Sequence, residues 1–129
     1  MKFEEFRRGR EIRFSVDKRR YTIARLREPL PLSQKIFAIA VEKDSITAVA
    51  QEGAGLEPLE EEKFFRLITF DVKLPFDLSG FLSNVSALLA AEGIPIFAIS
   101  SYSTDHILVK EELLGKALKV LKEDGFLQS

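Results

Sequence analysis

Residues 64–125 read FFRLITFDVKLPFDLSGFLSNVSALLAAEGIPIFAISSYSTDHILVKEELLGKALKVLKEDG, and this stretch decides the fold. Between Phe64 and Leu74 apolar and polar residues alternate. Ile68, Phe70, Val72 and Leu74 fall on one side and Thr69, Asp71 and Lys73 on the other, the period of a half-buried strand, which Pro75 ends. From Leu78 the spacing changes to three and four: Leu78, Phe81, Leu82, Val85, Leu88 and Leu89 form one helical stripe. Asp77 is available to cap its first turn and Gly93 to close its last. Pro95–Ser101 and His106–Lys110 are two short strands around the polar segment Tyr102–Asp105. Leu114, Ala117, Leu118 and Leu121 then mark a second helix that stops at Gly125. The order strand, helix, strand, strand, helix is the split βαβ plan of a ferredoxin-like α+β fold, with helices on one face of an antiparallel sheet.

A complete βαββαβ unit needs one more strand, and only Phe126–Ser129 remain after the second helix. The N-terminal half has the opposite imbalance. Glu11–Val16 alternates as a strand, Asp17–Arg20 is a polar turn, and Tyr21–Arg27 is a second strand, together a predicted hairpin. Two prolines keep Glu28–Ser33 extended. Ile36–Val41 and Ser45–Ala50 form another hairpin around Glu42–Asp44, and Gln51–Glu62, with two glycines, a proline and a solvated glutamate run at Glu60–Glu62, reads as a linker. Lys2–Arg10 has no period, although Phe3 and Phe6 can fasten it to the core. Four strands with almost no helix to cover them must share a sheet with the second half. The expectation is a strand-rich unit over 1–59 and a βαββα unit over 60–129, completed by an N-terminal strand at Tyr21–Arg27.

At 129 residues, 46% hydrophobic and with eleven Phe, the chain can fill one core. It has no cysteine and one histidine, which excludes disulfides and thiolate metal sites; neither a metal nor a cofactor is expected. No apolar run approaches the roughly 20 residues of a membrane span, and MKFEEFRRGR has no signal-peptide core, so a soluble, cytoplasmic protein is predicted. Charge is uneven: Met1–Arg27 holds ten basic residues against four acids, and the remainder nine against sixteen. Such a basic segment suits a nucleic-acid arm or a strand face lying on an acidic partner surface.

The run FDLSGFLSNVSALLAAEGIPIFAISSYSTDHILVKEELLGKALKVLKEDGF resembles the ACT domain, in the version found in CASTOR-type amino-acid sensors and their small bacterial relatives. In that family a glycine opens the first helix, a helix end of the LAEAGI kind precedes the second strand, and an S-T-x-x-x-D-x-x-L-V pattern spans the hairpin. Here these are Gly80, Leu89–Ile94 and Ser100–Val109. RYTIARL at Arg20–Leu26 and the hairpin ending in SITAVA are similar more weakly. Family members carry Glu and Ser two positions apart in that hairpin, where this chain has Ser45 and Thr47. The resemblance implies two ACT-like modules in tandem, often dimerised, with a small amino acid bound between modules.

A physical case for a ligand stands beside the resemblance. A helix start leaves backbone amides unpaired, which favours a carboxylate there, and Gly80 has no side chain to keep one away. Asp105 stands near the same level, so the pair suits a zwitterion. The candidate ligand-binding residues are Gly80, Phe81, Leu82, Ser101, Tyr102, Thr104 and Asp105, with Thr47 and Ala48 as the positions the resemblance matches in the other module. Each has a structural alternative. Gly80 can serve close helix packing, Asp105 can be a turn acid bonding its own backbone, Asp77 can be only a cap, and His106 can be a core or solvated histidine.

The function expected is non-catalytic regulation by amino-acid binding, acting through module or dimer packing on a partner protein or a separate enzyme. A structural dimerisation module without ligand is the alternative. RNA binding uses the same βαββαβ plan, but His106–Lys110 lacks the exposed aromatics that RNA-recognition strands present. Catalysis would require a paired acid and base, an activated nucleophile or a metal, and the residue types are too few.

Overall fold

The computed structural model describes all 129 residues. Its architecture rests on two long antiparallel strands, β1 (Arg13–Leu26) and β4 (Pro58–Phe70), paired along nearly their whole length. The predicted hairpin inside β1 does not form. Asp17–Arg19 instead make a bulge, because the Asp17 carboxylate accepts from the Arg19 amide at 2.8 Å and its Nε at 2.9 Å. Arg66 on β4 meanwhile donates from Nε and a terminal nitrogen to the Asp17 carbonyl, at 3.2 and 2.9 Å. These bonds satisfy the polar residues without reversing the chain, so β1 bends and continues. Arg19 holds the Asp17 carboxyl down at about 2, against an ordinary 3.8.

The hairpin β2 (Ile36–Val41) and β3 (Ile46–Gln51) forms where the sequence places it. The predicted linker is shorter than expected, since β4 already begins at Pro58. Each glutamate of the run has a partner. Arg25 reaches Glu60 at 2.9 Å, Thr22 donates to Glu61 at 2.7 Å, and Lys110 lies 3.2 Å from Glu62. After β4 come α2 (Phe81–Ala91), β5 (Phe97–Ser100), β6 (Asp105–Lys110), a 3₁₀ turn at Glu111–Leu113, α3 (Leu114–Glu123) and a short β7 (Leu127–Gln128). The sheet order is β2-β3-β1-β4-β6-β5, with β7 parallel to the start of β1.

Sharing of strands occurs along all of β1, through both its first part and the expected Tyr21–Leu26 segment, each paired with β4. Phe14–Val16 of β1, opposite Ile68–Phe70, completes the sheet beneath the helices. Tyr21–Leu26 lies further along, between β3 and the first half of β4. Under α2 and α3 the main core gathers Phe14, Ile68, Phe70, Phe81, Val85, Leu89, Ile107, Val109, Ala117, Leu121 and Phe126. Gly125, at φ +101°, makes the reversal that sends Phe126 into this core: the Phe126 amide returns to the Leu121 carbonyl at 3.1 Å. Residues 2–10, without period in the sequence, contain a short helix α1 (Phe3–Arg7), and Phe3 and Phe6 do fasten it to the core. On the opposite face the sheet curls. Tyr21, Val49, Leu67 and Leu108 are buried there, and Phe37 of β2 comes within 4.9 Å of the His106 ring on β6.

No helix is long and apolar enough to cross a membrane.

Candidate functional site

α2 starts at Phe81 rather than Leu78, and Asp77 does not cap it. The residue before the helix is Gly80, at φ +95°. An L side chain rarely adopts that conformation, and a Cβ there would stand 3.7 Å from the Phe3 Cβ. Gly80 is therefore required by the backbone, whatever else it does. The segment before it is anchored from the N-terminal stretch, with the Phe3 amide donating to the Ser79 carbonyl at 2.9 Å and the Ser79 amide to the Met1 carbonyl at 2.8 Å. The first intrahelical bond is from the Asn84 amide to the Gly80 carbonyl, so the amides of Gly80, Phe81, Leu82 and Ser83 donate to no group of the protein.

Facing this helix start is the connection between β5 and β6. Ser101 donates its amide to the Thr104 carbonyl at 2.9 Å, which closes the turn. Two bonds tie the turn to the end of β4: Thr104 Oγ1 donates to the Phe70 carbonyl at 2.7 Å, and the Leu74 amide to the Ser103 carbonyl at 2.8 Å. His106 holds it from behind. Its Nδ1 is 2.9 Å from Thr69 Oγ1 and its Nε2 is 3.0 Å from Ser101 Oγ. Because Ser101 Oγ donates to the Thr104 carbonyl at 3.0 Å, the consistent assignment puts the ring proton on Nε2, with Thr69 donating to Nδ1. Burial pushes the His106 pKa below its ordinary 6.5, against the opposing pull of Asp105 and Asp71. His106 is thus a core histidine whose burial favours the neutral ring.

Between these elements lies an open cleft of about 310 Å³, at the small end of the range for ligand pockets, roughly 300 to 1,000 Å³. It brings together Gly80, Phe81, Leu82, Ser101, Tyr102, Thr104 and Asp105. Asp105 is half-buried. One of its carboxylate oxygens accepts from Ser100 Oγ at 2.6 Å and the other has no protein partner. The Ser101 and Thr104 hydroxyls are already engaged in holding the turn, and Tyr102 projects into solvent.

The remaining two sequence-predicted residues are elsewhere. Thr47 lines a separate cleft with Ile23, Arg25, Glu60 and Phe97. Ala48 is fully buried on β3, an interior strand paired on both sides, in a small cluster with Ala24 and Leu26. Within one chain, neither reaches the Gly80–Asp105 cleft. Sequence reasoning missed Leu74, Pro75, Phe76, Leu78, Ser83, Ser100 and Ser103, which also line it. A signal for Phe76 existed: a phenylalanine between a proline and an aspartate, off both the strand and the helix period, has no core position to occupy.

A curled antiparallel sheet with its helices on one face, and a cleft between the first of those helices and the neighbouring hairpin, define an ACT-type α+β fold. Residues 60–123 match the family model of the ACT domain. Among solved structures the chain is similar to a protein from Agobacterium tumefaciens, with 24% identity, a TM-score of 0.81 and coverage of 94% of either chain. It is also similar to a Vibrio cholerae protein of unknown function, a possible transport protein, with 28% identity, TM-score 0.71, and coverage of 88% of this chain and 89% of that one. Escherichia coli aspartokinase III, in complex with aspartate and ADP, shares the fold at 14% identity and TM-score 0.61. That likeness covers 85% of this chain but 32% of the enzyme. No curated protein matches the chain.

Proposed function

We propose that the protein is a non-catalytic regulatory module of the CASTOR-like kind that binds a small amino acid in the Gly80–Asp105 cleft. The observation that carries this reading is the meeting, in one cleft, of four amides without acceptors and a carboxylate oxygen without a donor. A zwitterion satisfies both, its carboxylate at the helix start and its ammonium on Asp105, and each charged hydrogen bond contributes about 1.5 to 3 kcal/mol. The ACT match over 60–123 supports the reading, as does the shared fold of an aspartokinase whose structure holds aspartate.

Residues 1–59 are read as a degenerate partner module and 60–129 as the ACT domain proper. Thr47 cannot join the cleft within one chain, so in this reading a second copy supplies it, in a cytoplasmic homodimer that signals to a separate protein through changes in packing. A ligand drives such a change only by favouring one arrangement over another.

The test is a thermal-shift screen of the purified chain against the twenty L-amino acids at millimolar concentration, with Asp105→Ala as control. A ligand at 100 times its Kd adds about 2.7 kcal/mol of stability, which raises Tm by several degrees. A shift from one or a few amino acids that the control loses supports the module as a sensor. A flat screen leaves a structural dimerisation module as the better account, with Ser45 in place of the family glutamate as its rationale.

A further inference from the structure

Phe76 and Tyr102 are 79% and 78% exposed, yet they touch each other, edge to face, with ring centroids 5.0 Å apart. They come from different segments, the loop after β4 and the turn between β5 and β6. Those segments are tied together by the Leu74–Ser103 and Thr104–Phe70 bonds, so the two rings share one base. Both rings line the same cleft, next to Leu74, Pro75 and Leu78. Two large aromatics held in mutual contact at a cleft mouth, and not in the core, form an apolar wall awaiting a surface to cover.

The rest of the cleft limits what that surface can be. Its lining contains no Lys, Arg or His, and Asp105 is its one acid. The helix-start amides and Asp105 match one carboxylate and one ammonium. After those, the lining this chain itself supplies leaves nothing to pair a third charge, whereas a substantial apolar surface remains unmatched.

We propose that the ligand of this cleft is an L-α-amino acid with an uncharged apolar side chain, selected by the Phe76–Tyr102 pair. This inference rests on the amino-acid reading of the cleft and names the ligand class. The α-carboxylate and α-ammonium occupy the polar end, and the side chain lies against the two rings and Leu78. An acidic side chain finds no cation in the cleft and a basic one no second carboxylate, so each pays for desolvation without a partner.

Isothermal titration of the full chain with L-leucine, L-isoleucine, L-phenylalanine, L-aspartate, L-lysine and L-arginine tests it, on the wild type and on Phe76→Ala and Tyr102→Ala. Both side chains are mostly in solvent, so both variants keep their fold, which circular dichroism checks. The expected result is binding of one or more apolar amino acids at least tenfold tighter than any charged one. Either variant should weaken that binding by about tenfold while leaving the weak charged ligands little changed. Tighter binding of lysine or arginine overturns the proposal in favour of a cation held on the aromatic faces, with the amino-acid reading intact. Apolar binding that is indifferent to both substitutions removes the pair from the site. Absence of binding by all six and by the rest of the twenty overturns the amino-acid reading, and this inference with it.

Discussion

The two ends of the β1–β4 ribbon are built from the same pair of strands but stabilised in different ways. At the helix-covered end, Phe14 and Phe70 stand opposite each other and both are fully buried. Phe70 meets the rings of Phe81 and Phe126 at 5.0 and 5.6 Å. Two helices close over them, and fifteen buried residues form one cluster. Beyond the Asp17 bulge neither α2 nor α3 contributes to the buried clusters. The buried groups there shrink to Tyr21 and Val49 inside the curl and to Ala24, Leu26 and Ala48 beneath the loops, and cross-strand ion pairs such as Arg25–Glu60 take up the polar surface. One continuous ribbon therefore has a thick core at one end and a thin one at the other. The bulge, held by Arg19 and Arg66, marks the change.

The largest effect should follow from deleting packing at the thick end. Phe70→Ala leaves a cavity among aromatic neighbours that cannot collapse, and should cost about 3 to 5 kcal/mol. At the thin end, Val49→Ala removes two methylene equivalents, about 1.5 kcal/mol. Urea denaturation of both variants measures the contrast, and because Phe70→Ala deletes about three times as many carbons as Val49→Ala, equal losses would show that the far end is the more tightly packed of the two. Native-state hydrogen exchange sharpens the same comparison. Amides of β6 and α2 should open only with global unfolding, and those of β2 and β3 through a smaller local opening.

An intermediate effect belongs to the joint between the thick core and the cleft. Gly80→Ala places a Cβ at φ +95° and should cost about 1 to 2 kcal/mol through backbone strain. The cleft makes the experiment more informative than a stability measurement alone. If Gly80 matters only for its conformation, a ligand's Tm increment should survive in the variant; if the ligand approaches the helix start closely, the increment should fall as well.

The unequal construction also explains what the sequence revealed. The 64–125 stretch was legible because each change of period coincides with a breaker, and the packing there follows the period: Ile68, Phe70, Val85, Leu89, Ala117 and Leu121 are all buried. The hairpin at Ile36–Gln51 was legible for the same reason. The Asp17–Arg20 reversal was misread because four consecutive polar residues are the composition of a turn. Whether they turn depends on Arg66, 49 positions away, which supplies the donors that let the strand continue. The glutamate run is solvated as read, at Glu60 and Glu62, but it belongs to β4 rather than to a linker, since its partners Thr22, Arg25 and Lys110 lie on other strands. Seven of nine candidate site residues share a cleft because helix start and hairpin are local features, and local features are readable. Thr47 and Ala48 came from a resemblance between hairpins, and no local rule says what a hairpin will face.

The smallest effect concerns His106, where the thick core, the curl and the cleft turn meet. Thr69 is on its Nδ1, Ser101 on its Nε2, and the Phe37 ring packs against it. Burial lowers its pKa in the folded state, so below the ordinary value of 6.5 the unfolded chain takes up a proton that the folded chain refuses. Stability should therefore be complete above pH 6.5 and decline as the pH falls below it, down to the folded-state pKa. Proton–nitrogen NMR of the single histidine measures both parts of this claim: a neutral ring protonated at Nε2 at pH 7, and a titration midpoint below 6.5. A midpoint above 6.5 would mean that Asp105 and Asp71 outweigh burial and that the ring is charged at pH values below that midpoint. The Nε2 proton would be unchanged in that case, and Nδ1–H would donate to the Thr69 hydroxyl instead of accepting from it, so both bonds would persist with one reversed.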